Sequence, residues 1–337
     1  MIEIKNFTAT NLEFKELARI DNLVNHDSIA NAEEDKHDWL LRDKSIIRNR
    51  LLLYKDNILI GVMYYSQGRD KNNKTAFFTL NLDPKHNNFG YRKLLYDKMI
   101  SEISSFNCNK VLTSIYEHPN YDELKKILDS ENFKLVQKNR EYSCNITKVD
   151  TKKYQGLINN LELEGVEFLD SKYEMLHMPN HYEKLEKLQW EIAQDFPIPK
   201  GISHTRTPFE RWKLLYEDFC ENFYGTHIVA TYQNEYIGTT DISNFPKSEP
   251  KKGWTEGLGV KKEFRRKGIA TALKIKAIES LLKKGISEIR TDNEENNPMY
   301  KINVALGFEP VPFSLDYMKK IKIISIIILQ ILIKMVL

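Results

Sequence analysis

The segment Leu258-Gly259-Val260-Lys261-Lys262-Glu263-Phe264-Arg265-Arg266-Lys267-Gly268-Ile269-Ala270-Thr271 decides how this chain is read. An apolar strand runs into a basic turn holding one glycine, and an amphipathic helix opens behind it. The first turn of a helix leaves backbone N–H groups without partners, and the helix dipole adds partial positive charge there. Gly268 and Ala270 keep the backbone bare, so an anionic group can approach those N–H groups closely. Lys261, Lys262, Arg265, Arg266 and Lys267 raise the positive potential around it. Taken alone, the segment reads equally well as a basic turn capping a surface helix. It lacks the Gly-Lys-Ser/Thr ending of a Walker loop and two of the glycines of a dinucleotide fingerprint.

Outward from this segment, the chain repeats itself once. Tyr54-Lys55-Asp56-Asn57-Ile58-Leu59-Ile60-Gly61 matches Tyr232-Gln233-Asn234-Glu235-Tyr236-Ile237-Gly238, and both read as a hairpin. Leu80-Asn81-Leu82 precedes Gly90 by the interval that separates Leu258-Gly259-Val260 from Gly268. A helical run follows each glycine, then a strand ending in Thr113 or Thr291, then a helix closing on Asn132-Phe133 or Gly307-Phe308. Trp39 and Trp212 fall at similar places upstream. Each match is weak; their common order makes a duplication the better explanation. Each half reads as strand, one or two helices, three strands, helix, strand, helix, strand. The fold class is therefore α+β: two tandem domains, each a mixed, mostly antiparallel sheet flanked by helices. The expected boundaries are 1–148 and 163–320, joined by a polar stretch near Thr147 to Leu161, with an apolar tail over 321–337.

Arg265-x-x-Gly268-x-Ala270 resembles the acyl-CoA signature of GNAT acetyltransferases, Gln/Arg-x-x-Gly-x-Gly/Ala, and sits between a strand and a long helix as it does there. Thr291-Asp292-Asn293, Asn296-Asn297-Pro298-Met299 and Asn303-Val304-Ala305-Leu306-Gly307-Phe308 are similar to that family's next strand and helix. The resemblance covers about Val166 to Ser314 and reaches the first half only through the repeat. It implies acetyl-CoA as acyl donor. The diphosphate would lie at Arg265, Arg266, Lys267, Gly268, Ile269, Ala270 and Thr271, and the pantetheine arm along the backbone of Leu258 to Val260. Asn296 and Asn303 would bond the pantetheine amides or line the thiol end. A backbone N–H of the strand would polarise the thioester carbonyl, and an amine would attack directly, with no covalent enzyme intermediate.

The proton-transfer groups are less legible. Many family members carry a tyrosine four residues before the Gly-Phe glycine as acid for the departing thiolate, whereas Asn303 stands there in this chain. Tyr300, one turn earlier, is the substitute candidate. Glu256 shares strand parity with Leu258 and Val260 and is the candidate base acting through water; paired with a lysine it would be a purely structural carboxylate. Asp241 and Asp195 are further candidates. The stretch Gln194-Asp195-Phe196-Pro197-Ile198-Pro199 reads as a wall or lid of the acceptor site, or as a helix stop set by Pro197. The first copy reads Asn87-Asn88-Phe89-Gly90-Tyr91-Arg92 where the signature should be. Arg92 in place of the small residue predicts a degenerate half.

Composition narrows the alternatives. Hydrophobic residues at 41% and charged residues at 29% describe a globular chain of 337 residues, long enough for two domains. A net charge of +3 and no aromatic platform beside the basic run argue against nucleic acid. Cys108, Cys144 and Cys220 are scattered without metal-ligand spacing, so no metal is expected and a reducing, cytoplasmic setting fits. The N-terminus lacks the pattern of a signal peptide. From Ile323 to Leu337 a helix would span roughly 22 Å, short of a hydrocarbon core of about 30 Å. Lys322 and Lys334 could snorkel, so a weak membrane contact, a buried element and a disordered end stay open for that tail. Two functions emerge: an acetyl-CoA-dependent N-acetyltransferase acting on a primary amine of a small molecule or peptide, and a non-catalytic acyl-CoA-binding or regulatory protein.

Overall fold

Both hairpins of the repeat close on the same two-residue turn. Asp56 and Asn57 have φ of 49° and 65°, and Gln233 and Asn234 have 50° and 66°. Paired positive φ angles match the twist of the flanking strands, and short polar residues tolerate them best. These values come from a computed structural model, which describes residues 1–25, 27–69, 74–103, 108–294, 297 and 299–321.

The first half gives β1 (Ile2–Asn6), α1 (Asn11–Val24), α2 (Ala32–Leu41), β2 (Arg48–Lys55), β3 (Ile58–Gln67), β4 (Thr75–Leu82), α3 (Phe89–Ile103), β5 (Lys110–Tyr116), α4 (Asp122–Ser130) and β6 (Lys134–Asn145). The second half opens with α5 (Gln155–Leu163), β7 (Val166–Asp170), α6 (Ser171–His177), α7 (His181–Ala193) and α8 (Phe209–Asn222). It continues with β8 (Tyr224–Tyr232), β9 (Glu235–Asn244), β10 (Lys252–Val260), α9 (Ile269–Lys283), β11 (Glu288–Glu294), α10 (Tyr300–Ala305) and β12 (Glu309–Lys320). Helix starts follow local chemistry. Thr10 and Glu13 form a reciprocal capping box at α1, and Asp170 accepts the Lys172 N–H at α6.

The sheets are mixed, with one parallel pair in each. In the first unit the order is β1-β2-β3-β4-β5-β12, with β4 and β5 parallel. In the second it is β7-β8-β9-β10-β11-β6, with β10 and β11 parallel. Hydrophobic clusters flank each sheet. In the second unit, one gathers Ile269, Leu273, Ile278 and Phe308, and another gathers Leu185, Leu188, Tyr216 and Val229.

The compact units do not follow the boundaries 1–148 and 163–320. Among the described residues, 139–198 and 204–311 form one unit, and those of 1–138, 199–203 and 312–321 form the other. The last strand of each half pairs with the penultimate strand of the other half's sheet: β6 runs Asn139↔Glu294 to Asn145↔Glu288 against β11, and β12 runs Ser314↔Tyr116 to Lys320↔Lys110 against β5. Backbone pairing satisfies the polar groups of an edge strand wherever the partner comes from along the chain. A change in composition marks where the repeat restarts, not where a unit closes. The polar join is itself ordered: α5 buries Ile158 and Leu161 in the second unit. The apolar tail beyond Ile321 lies outside the described residues.

Candidate active site

Parallel pairing of β10 with β11 runs only from Lys252↔Glu288 to Trp254↔Arg290. Past those rungs β10 continues to Val260 against β9, and β11 continues to Glu294 against β6. Two strands joined at one end and held by different neighbours beyond it part from each other. The edge of β10 from Thr255 to Val260, with Leu258 at its middle, borders that opening.

At the open end, Val260 leads through a short 3-10 turn at Lys262–Phe264 into α9. Arg266 has φ 64° and Gly268 has φ 89°, and α9 starts at Ile269 without a side-chain cap. The first-turn amides of Ile269, Ala270 and Thr271 are thus not consumed by a capping side chain. Gly268 is required twice over: its φ is left-handed, and a Cβ there would lie 2.6 Å from Leu157 Cδ1 of α5. Leu157 is a second reason for the glycine that the motif alone does not reveal.

The cations are arranged unequally. Arg265 folds back, its Nε donating to Val260 O at 2.8 Å and its Nη2 to Asp195 Oδ2 at 2.5 Å. Lys262 Nζ also lies 3.3 Å from Asp195 Oδ1. These bonds, Arg265 first, hold the Asp195 carboxyl below its ordinary value, so Asp195 is a counter-ion of the turn rather than a base. Arg266 and Lys267 are exposed, with the Lys267 ammonium 5.4 Å from the Phe264 ring centre.

The carboxylates gather at a β-bulge. The register of β10 against β9 jumps from Thr255↔Ile242 to Gly257↔Asp241, leaving Glu256 as the extra residue. The parity argument for Glu256 therefore fails, because a bulge resets the alternation. Glu256 accepts from Ser243 Oγ at 2.5 Å, and the protein packed around its carboxyl group, which displaces water there although the residue as a whole keeps an open side, raises its pKa. Asp241 is directly opposite Gly257, where a Cβ would lie 2.9 Å from its Oδ1 and 4.0 Å from Phe196 Cζ. Glycine makes the room in which this carboxylate sits. Burial, and then the neighbouring Glu256, push Asp241 up to about 7.

The helix after β11 separates the remaining candidates. Tyr300 stands 37% exposed at the start of α10, whereas Asn303, one turn on, is 3% exposed. Asn303 Oδ1 accepts from Lys274 Nζ, and its Nδ2 donates to Asn293 Oδ1 at 2.7 Å. Lys274, on α9, is 1% exposed and its ammonium lies 4.3 Å from the centre of the Phe308 ring. Sequence reasoning passed over Lys274. The signal was available, since Ala270, Lys274, Ile278 and Leu281 form one helical stripe in which the lysine is the polar intruder. Asn296 lies outside the described residues. Among the described residues no group of three or more His, Cys, Asp or Glu could hold a metal ion, and no helix is long and apolar enough to cross a membrane.

The profile of the acetyltransferase (GNAT) family matches residues 185–306, the span from α7 through α10 that builds this opening. That span is a GNAT-family domain. The fold of the chain is similar along 95% of its length to a tandem GNAT protein from the clavulanic acid biosynthesis pathway, at TM-score 0.75 and 14% identity, covering 98% of that chain. It is also similar to a GCN5-related N-acetyltransferase from Sphaerobacter thermophilus, at TM-score 0.69 and 14% identity, covering 95% of this chain and 96% of that one. No curated protein matches the sequence.

The first GNAT-like unit parts its strands at the equivalent place, β4 leaving β5 after Phe77↔Leu112. There Arg92, at the position of Ala270, is 1% exposed. Its Nε donates to Asn87 Oδ1 at 2.8 Å, Nη1 to Leu80 O at 3.0 Å and Nη2 to Asn120 O at 3.4 Å. Leu80 corresponds to Leu258, and Asn120 lies in the turn after β5, so the guanidinium ties β4 to the segment that follows β5. The Tyr91 N–H donates to Asn88 Oδ1 at 3.0 Å, which caps α3 where α9 is bare.

Proposed function

We propose that the second unit is an acetyl-CoA-dependent N-acetyltransferase that acylates a primary amine of a small molecule or peptide by direct attack. The observation that carries this reading is the uncapped start of α9 at Gly268, opening beside an unpaired edge of β10. Bare amides of Ile269, Ala270 and Thr271, with Arg266 and Lys267 alongside, suit a diphosphate. The β10 edge at Leu258 to Val260 offers backbone groups to a pantetheine arm running toward the bulge. Arg265 keeps the turn closed through Val260, with Asp195 as its counter-ion.

At the bulge, Asp241 is the better base than Glu256. A carboxylate with a pKa of about 7 takes the proton from the nitrogen of the attacking amine, as that nitrogen becomes cationic, far more readily than an ordinary carboxylate. Glu256, held by Ser243, lies beside it, and the pair favours a cationic acceptor over a neutral one. Tyr300 and Asn303 keep their candidacy at the thiol end, in different senses: Tyr300 as an accessible hydroxyl, Asn303 as part of a buried chain.

Release of free thiol from acetyl-CoA across a panel of amines tests the reading. Sustained release with at least one primary amine is expected, with kcat rising as pH climbs through about 7 while Asp241 loses its proton. Binding of acetyl-CoA without thiol release favours the non-catalytic acyl-CoA-binding reading. No detectable heat of association with CoA sinks both.

A further inference from the structure

Among the described residues, Lys274 is a buried cation without a carboxylate partner. Its ammonium donates to Asn303 Oδ1 and lies over Phe308; from β6 the titratable group facing it is Cys144, whose thiol donates to Leu306 O at 3.8 Å and is itself pushed up to about 11 by burial. A lone ammonium in such surroundings is costly, and α9 would gain from an apolar residue there. The cost needs a compensating role, and the hydrogen-bond chain beyond Lys274 supplies one.

An ammonium can only donate. Asn303 must therefore turn its carbonyl toward Lys274, which leaves its Nδ2 to donate to Asn293 Oδ1 at 2.7 Å. Asn293 in turn has its carbonyl occupied, so its own NH2 is directed elsewhere. Each amide alone could flip, but one fixed donor at the buried end sets both. Asn293 is partly exposed and lies on β11 past Arg290, the last rung shared with β10, so the far end of the chain reaches the wall of the opening.

We infer that Lys274 is a positioning residue of the acyl transfer, setting through Asn303 the direction of the Asn293 amide so that its NH2 faces the sulfur as charge develops there. The inference rests on the proposed acyl transfer. In that step the N–C bond forms as the C–S bond breaks, the amine proton passes to Asp241, and sulfur departs as thiolate. The Asn293 NH2 stabilises the thiolate without giving up a proton, so Asn293 takes the place of an acid without being one.

The arrangement is pH-sensitive in a defined sense. Burial lowers Lys274 to about 7. Once neutral, its amine can also accept, Asn303 is free to turn, and Asn293 can present its carbonyl oxygen to the thiolate instead. Turnover should then fall as pH rises past Lys274, opposite in sign to the limb set by Asp241; where two groups titrate so close together, the limbs belong to the pair.

The test compares wild type with Lys274→Met and Asn293→Asp, the second on the partly exposed wall where folding is not at stake. For Lys274→Met we expect kcat about tenfold lower with KM for acetyl-CoA unchanged, and the falling alkaline limb lost. For Asn293→Asp, which can only accept, the loss is expected to be at least as large. Independently of turnover, the thiolate absorbance of bound CoA should titrate about one pH unit lower in wild type than in Lys274→Met. Variants that turn over acetyl-CoA with wild-type kcat, pH profile and thiol titration overturn the inference and leave the acetyltransferase reading intact. A wild type that neither binds nor turns over acetyl-CoA removes that reading first.

Discussion

The two openings begin alike and end as opposites. In each unit a parallel pair holds for its first rungs and then parts, with a helix starting beside the gap. In the first unit the gap is spanned by Arg92, which donates to Leu80 of β4, to Asn120 in the turn after β5 and to Asn87 of the preceding turn, while Asn88 caps the helix. In the second, Ala270 adds nothing beyond Cβ, and Gly268 starts the helix uncapped. The difference extends along the strands: three residues after Gly61 stands Tyr64, whose hydroxyl donates to Asp21 at 2.7 Å, and three after Gly238 stands Asp241 facing Gly257. One unit has satisfied its polar groups internally, and the other leaves them for something else. A parted pair of strands is thus a feature of the fold, and what fills it decides whether it can bind.

The largest effect should come from removing the chemistry unique to the second opening. Asp241→Asn keeps shape and removes the base, and kcat is expected to fall about thousandfold with CoA affinity unchanged. A variant with wild-type turnover would move the proton to Glu256. Next, transplanting the plug should close the second opening: Ala270→Arg is expected to weaken CoA binding at least about hundredfold by calorimetry. Wild type should bind one CoA per chain, and two per chain would break the comparison outright. Third, Arg92→Ala removes three hydrogen bonds and leaves a polar hollow, so unfolding free energy should drop by about 2 kcal/mol in denaturant titration. No second CoA is gained, because Asn88 still caps α3.

How much of this was legible depended on distance along the chain. The turn at Arg265 to Ala270, both hairpins and the degeneracy announced by Arg92 were readable because each is local: a few residues whose backbone needs follow from their own side chains. The exchange of β6 and β12 was not, since composition does not say which edge a strand will cover. Glu256 was misjudged in orientation because one extra residue in a strand leaves no mark in its pattern. The bond from Lys274 to the Asn303 carbonyl was not legible either, because the two residues lie more than a helix length apart in sequence.

The smallest effect probes why Gly268 is a glycine at all. Gly90, its counterpart, lies within α3, which is capped one residue before the helix begins; an added Cβ would come within 3.4 Å of Asn88 Oδ1 and nothing nearer. Gly268 combines φ of 89° with Leu157 Cδ1 at 2.6 Å from a would-be Cβ. Alanine must therefore strain the backbone and displace a side chain at position 268, and neither at position 90. Gly268→Ala is expected to destabilise by about 1–2 kcal/mol, and Gly90→Ala to be neutral or slightly stabilising. If relief of the clash dominates, adding Leu157→Ala to Gly268→Ala recovers more than the cavity it creates costs. If the backbone angle dominates, the double variant is worse than either single one. Either way, CoA affinity separates packing from binding: a Gly268→Ala protein that is less stable yet binds normally shows the glycine to be there for α5, with the bare amides beside it serving the ligand.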